Sequence, residues 1–368
     1  MKLIYIANAR MPTEKAHGIQ IARMCEAFAN NDVEVELIIP KRLNSLKEGI
    51  FNYYGIKNNF KIKKIPCLDL VQFGRIGFWI QSFSFSIISF FYIIKKRADI
   101  IYSRDELPLY FLSFFKKNIF LETHMPRWNF LLRRILSKSK KIITITQGLK
   151  NFYIKNGVSE DSILVAPDGV DLNSFEVNID KNKLREGLEM PINKNIIMYS
   201  GHLYGWKGAQ VLADTSTFLD NGSLIVFVGG TDKDLKLFRN DNKDKKNILI
   251  LGRVPHSEIP YYLKSADVLV LPNSKKSEVS EKYTSPMKLF EYMASGVPIV
   301  ASDLPSIREV LSDDNAVLVN PNNSKALHDG ISSLLRDKNL CDKLAKQSVI
   351  DSRNYSWSSR EKRILKFI

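Results

Sequence analysis

Cysteine is scarce in this sequence, and none is placed to staple the chain or to bind metal. Cys25, Cys67 and Cys341 are the only three in 368 residues. They lie far apart, form no CxxC pair and build no disulfide framework, which suits a reducing cytoplasm. Zinc-finger spacings, RNP-like aromatic runs and arginine-rich tails are missing, so nucleic acid has no motif to carry it. Neither GxGxxG nor GxxxxGK[ST] occurs, which removes the two commonest phosphate fingerprints. No DxD is followed by a third ligand and no His/Cys cluster is present, so the chain reads as independent of metal. The opening MKLIYIANAR turns polar after a short apolar run with no small-residue cleavage site, and reads as no signal peptide. No fixed-period repeat or low-complexity segment occurs.

Acid is also short, with 39 Asp and Glu against 54 Lys and Arg, a formal net charge of +15. Such a surplus asks for a polyanionic small molecule, an anionic membrane surface or nucleic acid as partner, or else is a solvated basic surface. At 45% hydrophobic and 25% charged the composition is that of a folded globular chain. Its length exceeds one hydrophobic core, so two domains are expected. Two stretches bear on membranes. Ile76 to Ile94, IGFWIQSFSFSIISFFYII, carries no charge and is flanked by Arg75, Lys95, Lys96 and Arg97. It reads either as a bilayer-crossing helix or, given its glutamine and serines, as a buried amphipathic helix with one aromatic face. PRWNFLLRRILSKSKK, residues 126–141, interleaves Trp, Phe, Leu and Ile with six basic residues. That suits a helix on an anionic interface, or one packed on its own domain with a basic back.

Apolar strand-like runs recur at LIYIAN, VEVELIIP, DIIYS, NIFLET and KIITIT, and again at NIIMYSG, SLIVFVGG, NILILG, ADVLVLP, VPIVAS and NAVLV. Helical patterns separate them, which predicts parallel sheets wrapped by helices. A Pro/Asn-containing, charged stretch at 172–194 interrupts the rhythm and reads as a linker. The expected fold class is therefore α/β, two Rossmann-like doubly wound domains facing a central cleft, the first over 1–172 and the second over 173–354. A closing helix, about 355–368, follows the second.

Glycines mark where phosphate fits. Gly18 stands at a helix start after the first strand, and Gly201, Gly205 and Gly208 bracket His202 and Lys207 after the first strand of the second half. Small residues there let a ligand approach backbone N–H groups, and a lysine neutralises a diphosphate. In SPMKLFEYMASGVPIVASD, residues 285–303, Ser285 and Pro286 open a helix, Leu289, Tyr292 and Met293 take its apolar face, and Gly296 with Pro298 ends it. Glu291, about two turns in, is either an acceptor for two vicinal hydroxyls, as a ribose presents, or a surface carboxylate paired with Lys288.

These stretches together resemble the family 4 retaining glycosyltransferases of the GT-B fold. The similar segments are His17-Gly18, Glu122-Thr123-His124, VAPDGVDLNSF at 165–175, YSGHLYGWKG at 199–208, ILGRVPHSEIPYYLKSADVLVLP at 250–272, the MKLFEYMASG stretch and the closing YSWSSREKRIL. The resemblance covers essentially the whole chain. It implies that Glu291 holds the nucleotide ribose and Lys207 the donor diphosphate, with His202 as the second basic group there. Arg253 and Val254 would line the nucleobase, while the backbone of Met287, Lys288 and Leu289 would face diphosphate and ribose. Gly18 would leave room for the donor's phosphates and sugar, and His124 would contact the transferred sugar at the reaction centre. The last segment would cross back to the first domain.

The chain departs from the family pattern twice. Tyr283 stands where a glutamate usually precedes Glu291 by eight positions, with Glu278 and Glu281 near it, and His202 stands where arginine is usual. The first departure argues against a mechanism using that carboxylate as nucleophile. The resemblance implies a metal-independent, retaining, hexosyltransferase-type enzyme that takes a UDP-sugar or GDP-sugar and needs no cofactor. A glycan or lipid-linked acceptor, bacterial surface polysaccharide or glycoconjugate synthesis, and a cytoplasmic site at the inner membrane face are the corresponding expectations. A nucleotide-sugar epimerase of the same plan and a catalytically reduced nucleotide-sugar-binding protein are the alternatives. His256 and His328 read as structural or solvated, and His17 as a lesser candidate.

Overall fold

Short runs of Val, Ile, Leu and Tyr between turns build thirteen strands in the computed structural model, which describes residues 1–368. The chain forms two units, Met1–Pro167 with Trp357–Ile368, and Asp168–Ser356. In the first, β1 (Lys2–Ile6), β2 (Glu34–Lys41), β3 (Lys61–Pro66), β4 (Ile100–Ser103), β5 (Ile119–Thr123), β6 (Ile142–Thr144) and β7 (Ile163–Val165) pair in the order β3-β2-β1-β4-β5-β6-β7. In the second, β8 (Asn195–Ser200), β9 (Ser223–Val228), β10 (Ile248–Gly252), β11 (Val268–Leu271), β12 (Ile299–Ser302) and β13 (Val317–Val319) pair in the order β10-β9-β8-β11-β12-β13. Every pairing is parallel, with Tyr5 opposite Tyr102 and Leu269 opposite both Met198 and Ile299. Strands covered on both faces are apolar throughout: β11 and β12 are buried at every position. Both sheets reverse their winding beside the first strand, β1/β4 and β8/β11, where doubly wound sheets receive ligands at the strands' carboxyl ends.

Two strands escaped the sequence reading. β3, KIKKIP, is a lysine-rich edge strand whose outward residues hide its alternation, and lysine is a common guard of sheet edges. β7 has three residues. The segment 172–194 is not the linker expected. Its helix Lys181–Gly187 holds Arg185, which pairs with Asp267 at 2.6 Å and donates to the carbonyls of Ser265 and Lys194 at 2.9 and 3.1 Å. Phe175 and Met190 sit in the second unit's core, so burial, not turn composition, decides the segment.

The uncharged stretch forms the helix Gly74–Ile94. Its serine face is the buried one. Gln81, Ser82, Ser86 and Ser89 turn inward with Phe85 and Ile93, while most of the aromatic residues point out. Serine is small enough for close packing, and its hydroxyl finds partners: Ser86 and Ser89 donate to the carbonyls of Ser82 and Ser86, and Asn8 donates to Ser82 Oγ at 2.9 Å. The stretch 126–141 contains the helix Phe130–Ser139, capped by Asn129 and buried at Leu132 and Ile135.

The closing helix Trp357–Phe367 belongs to the first unit. Its Arg360, fully buried, donates through Nη2 to Glu122 Oε2 at 2.8 Å and to the Ala166 carbonyl at 3.1 Å, and through Nε to the Pro167 carbonyl at 2.8 Å. Removing one partner of a buried pair strands the other charge, at about 3–5 kcal/mol, whereas removing both costs less. Arg360→Met is therefore expected to lower stability to chemical denaturation by about that much, with the Glu122→Gln/Arg360→Met double variant recovering part of it.

Candidate functional site

In the second unit the chain leaves β8 through Gly201, at φ +117°, and enters the next helix through Gly208, at φ +75°. A side chain at Gly208 would meet the Pro272 carbonyl, since a Cβ there would lie 1.7 Å from its oxygen. The turn Gly205–Lys207 is thereby pressed against the end of β11 and carries Lys207 to the sheet's switch point. Lys207 is partly buried, with Nζ 4.0 Å from the Trp206 ring centroid. Burial pushes its ammonium down to about 8, against the opposing charge of Asp168.

The helix Met287–Ser295 begins at Met287, so Glu291 lies one turn in rather than two. It is 9% exposed and no surface carboxylate. His256, expected to be structural or solvated, is the correction here: its Nε2 lies 2.8 Å from Glu291 Oε1. Lys288, expected to face the ligand through its backbone or to pair with Glu291, buries its side chain beneath the same site, Nζ 3.6 Å from the Tyr199 ring centroid and without a hydrogen-bond partner. Burial and then the charge of Lys207 hold it well below the usual lysine range, with Glu291 opposing. Two lysines thus sit within each other's field beside one carboxylate.

The other expected positions separate. Leu289 is core, and its N–H already donates to the Pro286 carbonyl at 2.9 Å, so of the three first-turn groups it is not free for a phosphate. Met287 is half-buried, Val254 packs against the core and Arg253 is exposed. His202 stacks flat on Tyr204, centroids 4.9 Å apart and planes 6° apart. Tyr283 ends a five-residue π-helical turn and donates to Glu278 at 3.3 Å, bringing a neighbouring carboxylate to the position that lacks one. His328 touches Asp329 and Ser332 on the helix Ser324–Arg336. Asn273 was missed by the sequence reading: it is fully buried just past β11, and neither amide atom has a partner.

The first unit holds a cavity of about 260 Å³ at the ends of β1, β4 and β5, lined among others by Asn8, His17, Arg104, Asp105, Glu122 and His124. Glu122 organises it. Its Oε1 accepts from Gln20 at 2.7 Å and lies 2.6 Å from His124 Nε2, while Tyr102 and Arg360 donate to Oε2. Burial drives this carboxyl upward, but Arg360, His124 and Arg104 outweigh it and hold it well below the usual range. Arg104 donates to Gln20 at 2.6 Å. Gly18 is the third residue of the helix Ala16–Ala29, and the space beside it is filled: a Cβ would lie 2.1 Å from the Tyr54 hydroxyl and 2.6 Å from Thr13 Cγ2. Packing alone requires glycine there.

Two doubly wound sheets, each with charged side chains gathered at its switch point and one of them basic around a buried glutamate, define a two-unit α/β protein with candidate sites at the strands' carboxyl ends. Residues 180–349 match the model of the glycosyl transferases group 1, and residues 18–174 that of glycosyltransferase family 4. The two together span most of the chain, which belongs to the family 4 glycosyltransferases. D-inositol 3-phosphate glycosyltransferase of Xylanimonas cellulosilytica is 27% identical over 213 residues, 55% of this chain and 49% of its own length. The chain thus spans about half of that relative. UDP-Gal:alpha-D-GlcNAc-diphosphoundecaprenol alpha-1,3-galactosyltransferase of Escherichia coli is 30% identical over 152 residues, 39% of this chain and 37% of its own. Crystal structures of HepE from Anabaena with UDP and with UDP-glucose, 15% identical, cover 100% of this chain and 99% and 98% of theirs, at TM-scores of 0.76 and 0.75. The fold is GT-B.

His17 gives a test of the first unit's cavity. Burial, then Arg104 and Lys15, push its imidazole from 6.5 to about 4. Between those values the unfolded chain binds the additional proton, so stability is lost as pH falls through that window and is unaffected above it. His17→Gln is expected to flatten that loss in denaturation series between pH 6.5 and 4, and the His17 ring resonances are expected to titrate near pH 4.

Proposed function

We propose that the protein transfers a sugar from a nucleoside-diphosphate sugar, a UDP-sugar or GDP-sugar, to a glycan or lipid-linked acceptor with retention of configuration, in bacterial surface polysaccharide or glycoconjugate synthesis. One observation carries the reading. Lys288 is buried without a hydrogen-bond partner beside Lys207, one turn before the Glu291 carboxylate, an arrangement that calls for an anion linked to a hydroxyl-bearing ring. The UDP-bound and UDP-glucose-bound HepE structures and the diphosphoundecaprenol acceptor in the Escherichia coli relative's name support the two substrate classes.

In this reading Glu291 accepts from the ribose hydroxyls, and His256, which now holds the same oxygen, shares or yields it. Lys207 and Lys288 neutralise the departing diphosphate with the first-turn N–H groups of Met287 and Lys288, so no metal is required. The bond from the sugar's anomeric carbon to phosphate breaks as the bond to the acceptor oxygen forms. The acceptor's proton passes to the leaving diphosphate. The cavity beside His124 takes the acceptor, its imidazole held in place by Glu122.

Calorimetry of UDP and GDP in chelator, against wild type, Lys207→Ala and Glu291→Ala, tests the donor site. One nucleotide is expected to bind, and each substitution to weaken it by more than about 1.5 kcal/mol, the scale of a charge-assisted hydrogen bond. If neither nucleotide binds, the assignment fails. Transfer to an added acceptor, as against interconversion of the free nucleotide sugar or binding alone, then separates the transferase from an epimerase or a binding protein.

Ionisation adds a second expectation. A diphosphate favours both ammonium forms, so binding takes up protons and affinity falls as pH rises through about 8, where Lys207 loses its charge. Titrations in buffers of different ionisation enthalpy read that uptake directly.

A further inference from the structure

The helix Gly74–Ile94 turns its hydrogen-bonding residues inward and its large apolar ones outward, the reverse of a helix on a water-facing surface. Ile76 is 75% exposed, Trp79 60% and Phe91 64%. The exposed apolar surface does not stop at this helix. Phe83 touches Phe111, Phe111 touches Tyr110, and Tyr110 touches both Phe114 and Phe130, with centroids 5.3–5.7 Å apart. One continuous aromatic sheet therefore runs from this helix, across Glu106–Leu112 and the residues just after it, to the start of Phe130–Ser139. A soluble chain rarely leaves a patch of this kind uncovered.

Its rim is basic. Arg75 stands in the helix's first turn and Lys95 and Arg97 just after its end, all exposed, and Arg133 is exposed on Phe130–Ser139. The Arg134 guanidinium lies 4.3 Å from the Phe114 ring centroid, a cation at the level of the aromatic surface. Apolar rings ringed by arginine and lysine match the boundary between acyl chains and anionic headgroups. A second copy of the chain would place two such basic rims against each other, which like charge opposes.

We propose that the first unit seats this face, the outer side of Gly74–Ile94 with the rings of Phe114 and Phe130, in the interface of an anionic bilayer. The helix lies in the membrane surface and does not cross it. Gln81 donates to Asn8 Oδ1 at 2.9 Å, Tyr92 donates to Glu36 at 2.7 Å, and Phe85 and Ile93 are core. Crossing would break all of these, whereas lying flat keeps them and buries only the outward rings. Asn8 also lines the His124 cavity, so the inner side of the seated helix borders the place proposed for the acceptor. The inference deepens the transferase reading by choosing a lipid-linked acceptor reached from the membrane.

The test is cosedimentation of the full chain with phosphatidylcholine vesicles, plain or with roughly a third phosphatidylglycerol. Wild type is expected to pellet with the anionic vesicles and to be released as salt rises. The Trp79→Ser/Phe83→Ser/Phe91→Ser variant, altered only at exposed positions, is expected to lose binding by at least about tenfold, with its melting and nucleotide affinity unchanged. Lys95→Glu/Arg133→Glu is expected to lose the preference for anionic lipid. Wild type remaining in the supernatant at low salt, or a triple variant that binds as wild type does, overturns the proposal. A concentration-dependent dimer abolished by the triple variant, without vesicle binding, assigns the face to a second copy and overturns it too. Nucleotide affinity without vesicle binding sinks this inference alone, and vesicle binding without nucleotide affinity sinks the transferase reading alone.

Discussion

A single carboxylate with no access to water organises the first unit. Glu122 closes strand β5 and gathers a glutamine from the first long helix, a tyrosine from the neighbouring strand, an arginine from the closing helix and the histidine of the cavity. An ionised carboxyl in such a place is tolerable only when its lone pairs are filled and a cation is near. Each partner is thereby fixed by the same requirement. The orientation of the cavity's imidazole and the docking of the last helix are two results of one electrostatic demand.

The second unit has the opposite condition. Burial depresses both Lys207 and Lys288, the charge of Lys207 depresses Lys288 further, and the carboxylate that opposes this at Lys288, Glu291, is also claimed by His256. The site therefore gathers two lysines in a poorly solvated place, with Asp168 and Glu291 as the opposing carboxylates. A dianionic ligand relieves that repulsion, so ligand affinity and the intrinsic stability of this unit pull against each other.

Much of this was legible in the sequence because buried parallel strands write themselves as unbroken apolar runs, and eleven such runs became strands. β3 stayed hidden because an edge strand faces water and protects itself with lysine. Glu291, Lys207 and His124 could be named from their motifs, but their neighbours could not. His256 reaches Glu291 across 35 positions and Arg360 reaches Glu122 across 238, and no local pattern carries such a pairing. Gly18 shows the converse: a glycine at a suggestive place whose reason is the Tyr54 hydroxyl, far along the chain. The aromatic helix was visible as an anomaly, yet only the direction of its serines told which face was covered.

The position of Arg360 also bears on how the chain is made. Domains generally fold as they emerge, the amino-terminal one first. Here β1 to β7 leave the ribosome while the guanidinium partner of Glu122 is still nearly two hundred residues from synthesis, since Arg360 donates to the carbonyls of Ala166 and Pro167 from 194 and 193 positions away. The second unit, encoded wholly in between, is complete before the first can close. Synthesis thus inverts the order of the sequence: the half that begins the chain is the last to gain all of its contacts.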